Sequence, residues 1–425
     1  MILDEALQYE GKPANIKLRQ YFNLYPEVKL YVDAVDITKT ENKITKIYSK
    51  VHDVSNCASN IKVKTVLKNN CGQLTCKLIH KECQKMFNPG DRVRLYLDGR
   101  CWFCGFIFIR DFQSSTSMSI VAFDFLRYFK VPLTYGKNQL LTIGNTTGMP
   151  ASDIFTKICQ DLAIPFNVQT ASSTPVTPQN YTQKTAFNIL DFAITETLIN
   201  SPIENREYYT FFHQTFFEED YNNDNLSETQ IFKTSGQVVW ALRNNLTVDA
   251  VLDDEMIYDY KFKESIDEQT YNEIIVYKDQ KTYLSSTGKT LKNGKKTGTQ
   301  IKKVAKDDEA KAKWGYLPYY HRAPDGYSEA QMQQVADELK DIYNRPTHNL
   351  TVSCYGVIGM RAGYLVPVAL NDIGGTTIGI QKTNEKTGEN YLEPVYRTVT
   401  ECEFDIQYPL KMNLKLSSGM YGEAE

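Results

Sequence analysis

The chain has 425 residues, more than one compact core usually serves, so two or three domains are expected. Lys plus Arg number 48 against 51 Asp plus Glu, a net charge of -3, which leaves no excess positive charge to hold a polyphosphate and excludes sequence-specific nucleic acid as the main partner. The 28 tyrosines and 20 phenylalanines favour pleated, half-buried positions and tilt the class toward β.

The stretch Met1 to Glu10 is acidic and lacks the basic start and apolar core of a secretory signal. No apolar run approaches the ~20 residues that span a bilayer, and even Trp102 to Ile109 stops at Arg110 and Asp111. The expectation is a soluble protein made in the cytoplasm, with no membrane partner. Residues 1–27 are expected as an N-terminal extension.

From residue 28 to about 140 the pattern predicts strands at Val28 to Val32, Ile61 to Leu67, Leu74 to Ile79, Val93 to Leu97, Trp102 to Ile109 and Met118 to Phe123. Alternation is clearest in the stretch from Arg92, with Val93, Leu95 and Leu97 on one face. It ends at Asp98-Gly99, a strong hairpin signal because both turn positions take positive φ. An antiparallel sheet or barrel follows.

After Gly144 and Gly148, a mixed α+β block is expected over 141–245. Ser152 or Asp153 is placed to cap a helix carrying Ile154, Ile158 and Leu162. A second helix is predicted at Ala186 to Leu198, with strands at Tyr208 to Phe212 and Val238 to Leu242. The third block, 246–425, opens with strands at Leu246 to Val251, Ile257 to Phe262 and Glu273 to Tyr277. Residues 278–313 hold almost no large apolar side chain and are expected as a flexible loop. Ser328-x-x-Gln331 has the form of a capping box for a helix over 328–345. Its stripe is Met332, Val335, Ala336, Leu339, Ile342 and Tyr343, and Pro346 ends it. Strands return from Leu350 to Leu416.

Sites for chemistry are sparse. His52, His80, His213, His321 and His348 are scattered and form no metal-binding helix motif. Nine cysteines read as reduced, mostly buried thiols. The alternative, zinc held by Cys71, Cys76, Cys101 and Cys104, is disfavoured because strand positions three apart point to opposite faces. Asp220 to Asn225 starts like a calcium loop but has Asn225 where Gly belongs and Ile231 where a bidentate Glu belongs. Gly288-Lys289-Thr290 lacks the first glycine of a phosphate loop, since Tyr283 stands there. The carboxylate pairs Glu218-Glu219 and Asp253-Asp254 read as solvated faces rather than a glycosidase pair. No cofactor, metal or catalytic residue is expected, and the chain reads as a non-enzyme.

Three stretches, taken in succession, carry a resemblance. The first runs Pro89-Gly90-Asp91-Arg92-Val93 to Asp98-Gly99, then Phe103-Cys104-Gly105-Phe106-Ile107, then Ala122-Phe123-Asp124-Phe125-Leu126-Arg127-Tyr128. The second is the helix from Ala151 to Ile164 with Thr185 to Leu190. The third is Tyr271 to Tyr277, Asp307-Asp308-Glu309 leading to Trp314-Gly315, the helix to Tyr343, and Arg361-Ala362-Gly363. Together they resemble the XkdQ/YqbQ-like baseplate hub proteins of contractile phage tails and phage-tail-like particles, related to late control protein D. The first 27 residues, Trp102 and the cysteine pair beside it depart from the family pattern.

The resemblance implies an α+β, mainly β chain with two tube-type antiparallel β-barrel domains around a mixed middle domain. Its signature residues would be Gly90, Asp91, Asp98, Gly99, Gly105, Asp124, Arg127, Tyr128, Trp314, Gly315 and Gly363. It further implies a homotrimer that joins the tail tube protein to a central spike protein, contacts other baseplate proteins, and frames the path of the tape-measure protein. Assembly would occur in the bacterial host cytoplasm, into the baseplate of a phage or a headless bacteriocin. Two alternatives come from other classes, a cell-wall hydrolase component of the tail and a carbohydrate-binding surface module.

Overall fold

The computed structural model describes residues 21–417 apart from 41–42, 68–70, 142–147, 201–206, 216–235, 249, 268, 283–296, 325, 374–375 and 385–387. The calcium-like stretch Asp220 to Asn225, the pair Glu218-Glu219, Gly288-Lys289-Thr290, Gly144 and most of the N-terminal extension lie outside the described residues.

The chain is mainly β, with helices set against its sheets. Its first strands are β1 (Val28–Thr40), β2 (Lys43–Asp53), β3 (Ala58–Val66), β4 (Gln73–Ile79), β5 (Arg92–Leu97), β6 (Arg100–Ser114) and β7 (Ser117–Phe123). The middle region contributes helices α1 (Ala151–Asp161) and α2 (Ala186–Ile199) and strands β8 (Phe166–Val168), β9 (Tyr209–Gln214) and β10 (Gln237–Leu242). Next come β11 (Ile257–Ser265), β12 (Glu273–Thr282), β13 (Thr297–Lys306), helix α3 (Asp308–Trp314), β14 (Pro318–Arg322) and helix α4 (Glu329–Tyr343). The chain then runs through β15 (Thr347–Tyr355), β16 (Leu365–Ile373), β17 (Val395–Ile406) and β18 (Lys411–Ser417).

A 14-stranded sheet collects both strand-rich ends, in the order β11-β15-β18-β17-β3-β4-β7-β6-β5-β1-β2, with β16 attached to β17. The join is the antiparallel pairing of β17 with β3, Glu401 opposite Val66 through Ile406 opposite Ile61. One apolar core follows it across, from Leu30, Val93 and Ile120 to Leu350, Val399 and Leu414, all nearly fully buried. A second core holds the middle region, where Phe129, Phe155, Phe187 and Trp240 meet as tilted and edge-on rings. Such aromatic contacts add about 0.5–1.5 kcal/mol each beyond area burial.

The hairpin read at Asp98-Gly99 joins β5 to β6, with φ of 50° and 73° at the two turn residues. Asp98 tolerates that conformation and also caps the neighbouring chain, its Oδ1 accepting from Glu27 N at 2.8 Å. No atom lies near an added Cβ at Gly99, so Gly99→Val is expected to cost only the backbone strain of a β-branched residue at positive φ, about 1–3 kcal/mol. A melting temperature equal to that of the unaltered chain would contradict the turn assignment.

The capping box is also present. Ser328 Oγ accepts from Gln331 N at 3.2 Å while Gln331 Oε1 accepts from Ser328 N at 2.9 Å. The stripe of α4 packs Met332, Val335, Ala336 and Leu339 onto Ile274, Val276 and Ala305 of β12 and β13. Loss of the cap in Ser328→Ala is expected to lower stability by about 1 kcal/mol in chemical denaturation.

Several expectations are corrected. Within 278–313, expected as a loop, β12 runs on to Thr282, β13 pairs with it from Thr297 to Lys306, and α3 follows. The apolar content there is low, but the ladder satisfies the backbone and α4 covers one face, which supplies the burial that composition alone did not promise. Among the described residues of the expected strand Leu246 to Val251 there is no strand; Arg243–Asn245 is a 3-10 turn and Thr247 forms an isolated bridge to Leu365. Neither Ser152 nor Asp153 caps α1. Pro150 occupies the cap position, and Ser152 is buried, exchanging hydrogen bonds with Ser172. The strand β2 is an element that the sequence pattern does not predict.

The argument placing Cys101 and Cys104 on opposite faces also fails, because β6 carries a bulge. Leu95 opposes Phe103 and Tyr96 opposes Cys101, so Trp102 is the extra residue and both thiols reach one face beside Tyr96. The four thiols of the disfavoured zinc alternative are nevertheless assigned to separate clusters. Cys76 lies in the main core and Cys71 in the middle core, away from the Tyr96 cluster.

Candidate functional site

The polar side chains that tie the three regions together meet at one buried junction. Asp124 ends β7 and caps the 3-10 helix Phe125–Lys130, its Oδ1 accepting from Leu126 N at 3.0 Å. Its Oδ2 accepts from Gly72 N at 2.9 Å, and its own N–H returns a bond to Gly72 O at 3.0 Å. This reciprocal clamp requires glycine at 72, where a Cβ would stand 2.4 Å from Asp124 Oδ2. Burial holds the Asp124 carboxyl up at about 7, against the pull of the Gly72 and Leu126 hydrogen bonds and the charge of Arg361.

His213 of β9 is buried beside this clamp, with Nδ1 at 3.9 Å from Asp124 Oδ2, too far for a direct hydrogen bond. Its ring meets Phe125 edge-on at 5.4 Å. Arg361, from the turn before β16, spans the remaining gap. Its guanidinium donates to His213 O and, at 2.7 Å, to Trp102 O. Ala362 N donates to Thr65 Oγ1 of β3 at 3.0 Å, and Thr215 Oγ1 donates to Cys101 O at 2.6 Å. Trp102, the bulged residue, lays its ring edge-on against Phe404 of β17 at 4.4 Å. One arginine and one tryptophan therefore connect the first strands, the middle region and the last strands.

Of the other residues expected as signature positions, several lie around this junction or at turns leading from it. Gly90, with φ 98°, donates to Ile107 O, and Ile107 N returns a bond to Asp91 O, both at 2.8 Å. The Asp91 carboxylate accepts from Asn88 N at 2.6 Å and from Val35 N at 2.9 Å, next to the register shift in β1. Gly105 lets β6 approach β7, since a Cβ there would meet Phe123 O at 2.5 Å. Arg127 places its guanidinium 5.3 Å from the Phe108 ring, and Tyr128 lies 6.1 Å from the same ring. Gly363, at φ 96°, donates to Val399 O at 2.7 Å. Trp314-Gly315 is remote from the junction; Gly315, at φ 85°, ends α3 and accepts from Asn272 Nδ2 at 2.7 Å.

Two small pockets adjoin Asp124, His213 and Arg361, with about 10 and 30 Å³ of room for water. Asp253 and Asp254, considered as a carboxylate pair, act locally: Asp253 Oδ1 accepts from Glu255 N and Met256 N, and Asp254 Oδ2 accepts from Asn371 Nδ2. Among the described residues no group of three His, Cys, Asp or Glu side chains has the geometry to hold a metal ion, and no helix is long and apolar enough to cross a membrane.

The sequence reading missed His213 and Gly72 as members of this site. The one local signal of His213 is its position inside the aromatic strand Tyr209–Gln214, where an alternating residue faces a core.

The same fold, a large mixed-origin sheet joined to a helical middle region, occurs in phage tail proteins. The 43 kDa tail protein of prophage MuSo2 from Shewanella oneidensis matches with a TM-score of 0.52 at 11% identity, over 91% of this chain and 98% of its own. A tail protein from Neisseria meningitidis MC58 matches with a TM-score of 0.54 at 13% identity, over 92% and 96%. No curated protein sequence matches the chain. The family model described as YQBQ-like matches residues 61–390, and the chain belongs to that family.

Proposed function

We propose that the chain is a non-catalytic baseplate hub, joining a tail tube to a central spike and nucleating tube assembly. The observation that carries this reading is the junction itself. Its charged groups are spent on backbone carbonyls and amides of three chain regions, and the pockets beside it are small. Such an arrangement fixes geometry between regions and offers no substrate a place.

In this reading the two strand-rich ends act as two tube-type barrel units, and three copies form a ring of pseudo-sixfold symmetry on which a trimeric spike meets a hexameric tube. One end of the sheet path supports it. Among the described residues the strand β11 pairs with β15 on one side alone and exposes Tyr258 and Tyr260, an edge that a neighbouring copy can cover. The tape-measure protein and other baseplate proteins are the remaining partners proposed.

The test is the native mass of the purified chain by light scattering, with electron-microscope class averages of the same peak, alone and mixed with the spike and tube proteins of its own tail. Rings of three copies that capture the spike support the hub. A strict monomer that ignores both proteins, or lysis of peptidoglycan by the chain, would sink it.

A further inference from the structure

Cys57 closes the 3-10 turn Ser55–Cys57 ahead of β3, and Cys83 begins the helical turn Cys83–Met86 that leads toward β5. Their sulfurs stand 3.8 Å apart, within van der Waals contact. Cys57 is the one cysteine of the nine that is not buried, and its Sγ also reaches Val54 O at 3.3 Å. Cys76 of β4 lies nearby in the apolar core, where burial pushes its thiol far up. Bringing the first two sulfurs to a bond of about 2.05 Å takes a shift of roughly 1.8 Å.

We propose that Cys57 and Cys83 form an oxidative modification site, closed to an intrachain disulfide by a small disulfide of the oxidised glutathione class. The accessible Cys57 loses its proton to solvent and attacks one sulfur of the small disulfide; that S–S bond breaks, one small thiolate leaves, and a mixed disulfide forms. Cys83 then loses its proton, attacks Cys57 Sγ and expels the second small thiolate. Two protein thiols are oxidised, one small disulfide is reduced to two thiols, and the two protons pass to the departing thiolates. Burial and the adjacent Cys57 push the Cys83 thiol up to about 12, so the closing step is the slow one and quickens as pH rises. A reducing cytoplasm keeps the pair open, and an oxidising medium outside the cell closes it. The bond would staple two connections at one end of the sheet, β2 to β3 and β4 to β5.

The experiment uses the full chain, purified with reductant, desalted, treated with oxidised glutathione at pH 8, alkylated in denaturant and digested with trypsin without reduction. Cys57 falls in peptide 51–62, Cys83 in peptide 82–85 and Cys76 in peptide 69–77. The expected product is peptide 51–62 linked to peptide 82–85, two hydrogens lighter than their sum, absent when reductant is kept and absent from Cys83→Ser. Recovery of both peptides as alkylated species, of Cys57 solely as its glutathione adduct, or of a link to peptide 69–77 would overturn the assignment.

Discussion

Asp33→Ala is expected to lower the unfolding free energy by about 3–5 kcal/mol, the cost of removing one partner from a buried ion pair. Asp33 is fully buried on β1 and sits between two arginines of β5. Arg92 Nε donates to Asp33 Oδ2 at 2.6 Å, and an Arg94 guanidinium nitrogen donates to Oδ1 at 2.9 Å. Both arginines are at most 3% exposed, so water cannot readily replace the carboxylate, and the two positive charges face each other without it. Chemical denaturation measures the loss, and Asp33→Asn, which keeps the volume and one acceptor, is expected to fall between. The partly exposed pair of Lys62 and Glu403, 3.9 Å apart, serves as a control, with a loss of about 0–1 kcal/mol on its removal. A loss for Asp33→Ala no larger than this control would mean that solvent reaches the arginines.

The second large effect is one of pH. The folded state holds the Asp124 carboxyl at about 7 because burial penalises its charge, above the ~3.9 of an exposed Asp. The folded chain therefore binds this proton more tightly than the unfolded chain. The stabilisation is fully present below about pH 4 and is lost as pH rises to about 7, at most about 1.4 kcal/mol per pH unit. Asp124→Asn cannot titrate, so the difference in stability between the two proteins is expected to shift against the native chain from pH 4.5 to pH 7.5. Denaturation midpoints of both proteins across that range provide the check. A constant difference would show that the carboxylate keeps its charge inside the junction, held by Gly72, Leu126 and Arg361.

How much of this was legible beforehand depends on sequence distance. The Asp98-Gly99 hairpin, the Ser328-Gln331 box and the stripe of α4 were readable because each is decided by side chains within a few residues of one another. The alternation of β5 was legible as well, but only by half. Val93, Leu95 and Leu97 face the main core as expected, while Arg92, Arg94 and Tyr96 on the other face are buried too. Period two assigns residues to faces and does not reveal what covers each face. The bulge at Trp102 shows the same limit, since a one-residue register shift leaves no composition signal and yet moves a thiol across the sheet.

The sequence by itself determined the strand-rich ends, the helical content of the middle, the main turn chemistry and, through the order of its motifs, the family. Those follow from local propensity, hydrophobic period and glycine or aspartate at positions of special backbone shape. Only the tertiary structure decided that β3 and β17 join both ends into one sheet, that Thr297–Lys306, poor in large apolar residues, forms a strand beneath α4, and that Asp124, His213 and Arg361 share one buried site. The physical reason is that these are pairings between segments far apart in the chain, selected by burial and by the need to satisfy buried polar groups, and neither demand is written in any one stretch of residues.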